Sequence, residues 1–94
     1  MQNGILYIST QNCSVCHVLK PKLKSAIAHH YPKLQWQEVI ADQDVEFAAQ
    51  HAVFSVPTVL FFLDGKEQAR FVRAFSVNEV LAAVERPYEM MFGE

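Results

Sequence analysis

The chain has 94 residues, of which 51% are apolar and 19% charged, with a formal net charge of −2. That length holds one core and is too short for two, so residues 1–94 are expected to form a single domain. The near-neutral balance carries no electrostatic footprint for nucleic acid or an anionic membrane, and no stretch reaches the ~20 apolar residues needed to span a bilayer.

Met1-Gln2-Asn3-Gly4 lacks the positive region of a signal peptide, which points to a cytoplasmic protein. Residues 5–9, opening with Ile5-Leu6-Tyr7-Ile8, have the compact apolar character of a strand. Both cysteines of the chain follow, in Asn12-Cys13-Ser14-Val15-Cys16-His17. Beyond them Val18, Leu19, Leu23 and Ile27 recur at helical spacing, with Lys20, Lys22 and Lys24 on the wetter side, predicting a helix over residues 14–30. Leu34 to Ile40 reads as a strand in which Leu34, Trp36, Glu38 and Ile40 share a face. A short helix is expected from Asp42 to Gln50, capped by Asp42 or Asp44, with Val45, Phe47 and Ala48 turned inward. Strands Thr58–Leu63 and Lys66–Phe75 flank Asp64-Gly65, a strong two-residue hairpin signal. Ser76 and Glu79 form a capping box that opens a last helix, which Pro87 is expected to stop. The order is β-α-β-α-β-β-α: an α/β fold with helices on the faces of one four-stranded mixed sheet.

The cysteines carry the chemistry. In the cytosol a C-x-x-C pair points to redox work or a metal rather than to a structural staple. Cys13 is expected at the first turn of a helix, where free backbone N–H groups and the positive dipole end favour an anion. A thiolate is that anion, and a second thiol three positions on captures whatever the first attacks. The helix start is worth about 0.3–1 kcal/mol, and no cation is fixed beside Cys13. A mild thiol follows, with a potential expected roughly between −270 and −180 mV.

The C-S-V-C at the first strand–helix junction, Pro21 five residues past Cys16, Ser55-Val56-Pro57-Thr58 opening the third strand and the Asp64-Gly65 hairpin together resemble the thioredoxin superfamily. In length the chain is similar to its minimal, glutaredoxin-sized members, beginning directly on the central strand. The resemblance implies that Cys13 attacks a substrate disulfide and that Cys16, more buried, resolves the mixed disulfide, cycling a Cys13–Cys16 redox-active disulfide. It implies a kink at Pro21, a cis Val56–Pro57 bond facing the cysteines, and a substrate-binding surface from Val56, Pro57, Thr58, Ser14 and Val15. Partners would be disulfide-containing proteins and a reductase that the sequence does not name, with no cofactor or metal.

Departures narrow the reading. Ser9-Thr10-Gln11-Asn12 replaces the family's aromatic-rich approach to the first cysteine, and Ser14-Val15 replaces its Gly-Pro dipeptide. Tyr7 stands where thioredoxins carry a buried carboxylate, and Glu38 on the neighbouring strand is the candidate proton relay to Cys16, with a pKa expected to be raised by burial. His17 is expected to point into solvent. Glutathione recognition is thin: no lysine precedes Cys13, and Ala69-Arg70-Phe71-Val72-Arg73 continues as strand where a Gly-Gly-Asp-like turn would stand. Protein-disulfide reduction is therefore preferred over a glutathione-dependent, glutaredoxin-like reductase or a redox-inactive binding module. Cys13-x-x-Cys16-His17 also matches a c-type haem attachment motif, and Cys13, Cys16, His17, His29 and His30 make a metal set on paper, but His29 and His30 fall at the far helix end. The tail Tyr88–Glu94, apolar for a chain end, either folds back on the body or forms a weak homodimer contact.

Overall fold

The computed structural model describes residues 1–93. Its elements are β1 (Gly4–Ser9), α1 (Ser14–His30), β2 (Gln35–Ile40), α2 (Val45–Gln50), β3 (Thr58–Leu63), β4 (Lys66–Val72) and α3 (Val77–Phe92). The sheet runs β2-β1-β3-β4, with β1 parallel to β2 and antiparallel to β3, and β3 antiparallel to β4. Every residue of β1 is buried, as its all-but-continuous apolar run requires of a strand paired on both sides and covered on both faces.

Alternation along β1 sorts the core into two. Ile5 and Tyr7 face one side with Val59 and Phe61, packing under α1 (Leu23, Ile27) and α3 (Val80, Val84). Leu6 and Ile8 face the other with Val39 and Leu60, against Ala48 of α2. At the β3–β4 hairpin Asp64 and Gly65 both adopt positive φ, 53° and 75°, as a type I′ turn demands.

Four local expectations change. Helix α3 does not stop at Pro87: the proline lies inside it, and the helix ends at Phe92. Tertiary packing outweighs the missing N–H. Tyr88 lies against Tyr31, ring centroids 4.9 Å apart, and against Phe92, also at 4.9 Å, and the Lys33 N–H donates to the Tyr88 hydroxyl at 3.2 Å. As far as Gly93 the tail thus folds back onto the first core, leaving Met90 and Met91 exposed, and Glu94 lies outside the described residues. Strand β4 ends at Val72, because Arg73 takes a positive φ of 63° and breaks the ladder. Asp44, not Asp42, caps α2, its carboxylate accepting the Phe47 N–H at 3.2 Å. Starting the helix there turns Val45 outward, 69% exposed, instead of inward. Finally, β2 begins at Gln35, with Leu34 buried just before it.

Candidate active site

Cys13 is the N-cap of α1. Its backbone is extended (φ −92°, ψ 99°) and its Sγ accepts the Cys16 N–H at 3.1 Å, the contact a serine or aspartate oxygen would make in an ordinary cap. The Cys13 carbonyl accepts the first helical bond from the His17 N–H at 3.2 Å, and the Cys13 N–H donates to the Thr10 carbonyl at 3.4 Å. No acidic residue stands in the first turn to oppose an anion there. Cys13 and Cys16 form a disulfide across three positions, with Cα atoms 5.2 Å apart. Their burial differs: Cys13 is half-buried at the edge of the first core, whereas Cys16 is 1% exposed and belongs to that core. An external thiol or disulfide therefore meets Cys13 first.

The remaining site residues arrive from the other side of the sheet's end. Because Ile8 pairs with Thr58, the chain leaving β1 towards Cys13 and the chain entering β3 through Pro57 emerge at the same edge. The Val56–Pro57 peptide is cis, Pro57 is buried, and Val56 packs against both cores. The Thr58 hydroxyl donates to the Ser55 carbonyl at 2.6 Å, closing the turn before β3. Its side chain is 1% exposed, so Thr58 shapes this ledge from beneath and offers no hydroxyl to solvent. Ser14 and Val15 are exposed beside Cys13, Val15 by 60%. His17 is exposed, with Nε2 at 3.1 Å from the Gln11 carbonyl, so it also steadies the loop before the cysteines.

Glu38 corrects one expectation. It does face the α1 side, opposite Tyr7 in the β1–β2 register. However, its carboxylate accepts from the Trp36 indole N–H at 2.8 Å and from Lys20 at 3.3 Å, with Lys24 at 3.8 Å. The Trp36 hydrogen bond, aided by the two lysines, outweighs desolvation and holds its pKa below the ordinary value, opposite to the rise a buried proton relay would need. Tyr7 occupies the position nearer the cysteines. Its ring, stacked on Trp36 with centroids 5.6 Å apart, is fully buried, and its hydroxyl donates to the Cys16 carbonyl at 2.7 Å. Burial, then the Glu38 charge, push its pKa up to about 12, so it stays a neutral donor. The sequence carried a signal for this bond, since a buried tyrosine must find a partner for its hydroxyl. Among the described residues no three His, Cys, Asp or Glu side chains converge as a metal site, and His29 and His30 sit in the last turn of α1.

A half-exposed capping cysteine, a buried partner three residues on and an extended ledge beside them can exchange disulfides with another chain. Comparisons with known proteins agree. The family model described as thioredoxin matches residues 2–86. The thioredoxin-like protein YdfQ of Bacillus subtilis (strain 168) is 37% identical over 89 residues, covering 92% of this chain and 79% of that protein. A thioredoxin of Chlamydia trachomatis is 38% identical over 60 residues, covering 64% of this chain and 58% of the relative. Among solved structures, thioredoxin 1 of the thermophilic eubacterium Thermosipho africanus superposes with a TM-score of 0.85 at 33% identity, covering 94% of this chain and 97% of that one. With its cysteine pair set at the start of α1, this chain belongs to the thioredoxin family and is a thiol–disulfide oxidoreductase.

Proposed function

We propose that the chain reduces disulfides in other proteins through a Cys13–Cys16 dithiol/disulfide cycle. The Cys13 thiolate attacks one sulfur of the substrate disulfide, forming a mixed disulfide and releasing the other substrate sulfur as thiolate. The Cys16 thiol loses its proton to solvent and attacks Cys13 Sγ, freeing the second substrate thiolate and closing the Cys13–Cys16 disulfide. Two electrons from an external reductase reopen it. The observation that carries this reading is the division of labour in burial: Cys13 is accessible and holds the Cys16 N–H, whereas Cys16 is 1% exposed directly behind it.

The substrate segment lies extended along Ser55-Val56 beside Pro57, pairing main chain to main chain as an added strand. Support comes from the ledge's own hydrogen bonding: among the described residues no main-chain or side-chain group takes up the Val56 N–H or carbonyl, while the Pro57 carbonyl is taken by the Arg73 N–H at 2.8 Å. Ser14 and Val15 form the opposite wall. In this reading the chain works in the cytoplasm as a monomer or weak homodimer, and the packing of Tyr88 and Phe92 against its own core supports the monomer.

A Cys16→Ser variant incubated with a cell extract tests this. Mixed disulfides should accumulate on Cys13 and be released by dithiothreitol, and Cys13→Ser should capture none. Equal capture by both variants, or none by Cys16→Ser, would overturn the proposal. Efficient recycling of the wild type by glutathione with its reductase would move the protein to the glutathione-dependent class instead.

A further inference from the structure

Three segments meet at the cysteine end of the sheet: residues 9–16 leaving β1, residues 55–58 entering β3, and residues 72–76 leaving β4, where Val72 pairs with Thr58. Together they carry one charged side chain, that of Arg73. The exchange chemistry gives it no task. Its main chain is closely placed. The Arg73 N–H donates to the Pro57 carbonyl at 2.8 Å, one residue past Val56. The Ala74 N–H donates to the Val72 carbonyl, also at 2.8 Å, closing a three-residue turn with Arg73 at its centre. With φ at 63° this is the rare, strained form of such a turn.

A glycine would take that conformation without steric cost. Of the three non-glycine residues with positive φ among the described residues, Asp64 is of a type that tolerates it, and Ala52 ends α2 with its carbonyl held by Arg70 at 2.8 Å. Arg73 has neither reason. Nor does its side chain serve the fold: it is exposed, and among the described residues no carboxylate pairs with its guanidinium. Lys20 and Lys24, by contrast, are held by Glu38, and Arg70 by Glu67. A strained residue whose side chain the fold does not use points to a functional role.

We propose that Arg73 determines specificity in disulfide exchange: its guanidinium pairs with a carboxylate of the substrate segment laid along Ser55-Val56, so that disulfides with an acidic flank are preferred. The inference rests on the proposed function and adds to it the charge of the substrate. The hydrogen bond to the Pro57 carbonyl ties the arginine to the ledge, so the base of its side chain stands beside any chain paired with Val56. A guanidinium takes a carboxylate through two parallel N–H···O bonds, which suits it to reading a single aspartate or glutamate. The field of the whole chain points the other way, since a net charge of −2 repels an acidic partner. A preference for acid is therefore local. It is also one-sided: Arg73 follows β4 and Asp42 follows β2, at opposite edges of the sheet, so an acidic residue gains on the Arg73 side of the substrate cysteine and not on the other.

The test uses the reduced full chain and short peptides whose single cysteine carries the neutral 2-thiopyridyl group. The Cys13 thiolate attacks the peptide sulfur and releases 2-thiopyridone. The Cys13–peptide disulfide left behind is resolved by Cys16 to free peptide thiol and the Cys13–Cys16 disulfide. Peptides differ only in carrying aspartate, serine or lysine at one position up to three residues on either side of the cysteine, and each rate is divided by that of the same peptide with dithiothreitol. Aspartate on the favoured side should raise the normalised rate about threefold over serine, the worth of an exposed ion pair, and lysine should lower it. Salt at about 0.5 M should remove most of the difference. Arg73→Asn, which keeps a residue tolerant of positive φ, should abolish the aspartate preference, and Arg73→Lys should retain part of it. Arg73→Gly should lose the preference while keeping at least the wild-type urea midpoint, because it relieves the turn. A flat or symmetrical profile in the wild type, a preference that survives Arg73→Asn, or a midpoint lowered in Arg73→Gly overturns the proposal and leaves disulfide exchange intact. So does an altered rate of Cys13 alkylation by neutral iodoacetamide in Arg73→Asn, which would place the arginine's action on the thiolate instead. Release from every peptide no faster than with dithiothreitol would sink the exchange reading, and this proposal with it.

Discussion

Replacing Tyr7 by phenylalanine isolates one atom of the site. The ring and its stacking on Trp36 survive, and only the hydroxyl bound to the Cys16 carbonyl at 2.7 Å is lost. That carbonyl lies inside α1 and keeps the main-chain donor four residues on, so it is not orphaned. The loss is then that of a net hydrogen bond, about 1 kcal/mol, rather than of a buried unsatisfied group. Truncation to alanine would differ in kind, at ~3–5 kcal/mol for a large side chain removed from a packed core.

The same substitution leaves a signature in pH. The Tyr7 phenol is raised from 10.0 to about 12, chiefly by burial and next by the Glu38 charge. A raised value means the folded state holds this proton more tightly than the unfolded chain does. Its contribution is therefore complete below the unfolded value of 10.0 and is lost as pH rises through about 12. In full it is worth roughly 3 kcal/mol, and between those limits the wild type loses about 1.4 kcal/mol per pH unit that Tyr7→Phe does not. Starting about 1 kcal/mol ahead, the wild type should be overtaken near about pH 11. Tyr31, also raised, is present in both proteins and cancels in the difference. Urea unfolding of the oxidised proteins, followed by the single tryptophan, Trp36, measures this directly. Identical stabilities near neutral pH, or parallel curves through the alkaline range, would refute the reasoning.

Two further outcomes follow from the same geometry. Glu38→Gln should leave the rate of disulfide exchange against pH unchanged around neutrality, because a carboxylate lowered by Trp36 and the lysines has no proton to give there; a displaced profile would restore the relay. Its lowered value also means that the Glu38 contribution is present above the ordinary carboxylate range and lost as pH falls through the folded value, so Glu38→Gln should flatten the acid limb of the stability curve. Tyr88→Ala should cost about 2 kcal/mol in urea unfolding, as a half-buried aromatic, and should speed amide exchange at residues 88–92. Unchanged exchange there would mean that Tyr88 is not what carries α3 past Pro87.

Landmarks that depend on short-range chemistry were legible in the sequence. Asp64-Gly65 needs two positive φ values, Ser76 and Glu79 satisfy each other's N–H groups, and a cysteine pair after an apolar strand locates a helix start. What escaped depended on contacts between distant parts of the chain. Pro87 reads as a stop until Tyr31, fifty-odd residues earlier, gives Tyr88 something to pack on. Val45 reads as inward under the three- and four-residue spacing, but the choice between Asp42 and Asp44 as cap rotates the whole helix, and the Asp44 cap turns Val45 out. Glu38 reads correctly as facing α1. The sign of its shift was missed because it is decided by Trp36, Lys20 and Lys24, and side-chain reach is not written in strand periodicity.

One structural atom, Cys13 Sγ, links fold stability to redox chemistry. As a disulfide sulfur it is a weak acceptor for the Cys16 N–H; as a thiolate it becomes a charged one at the same helix end. Reduction therefore strengthens the cap of α1, and the folded protein favours the reduced anion more than an unfolded chain would. Lys20 and Lys24, further along the same helix, are both turned to Glu38 on β2. The size of this effect is that of the helix start alone, about 0.3–1 kcal/mol.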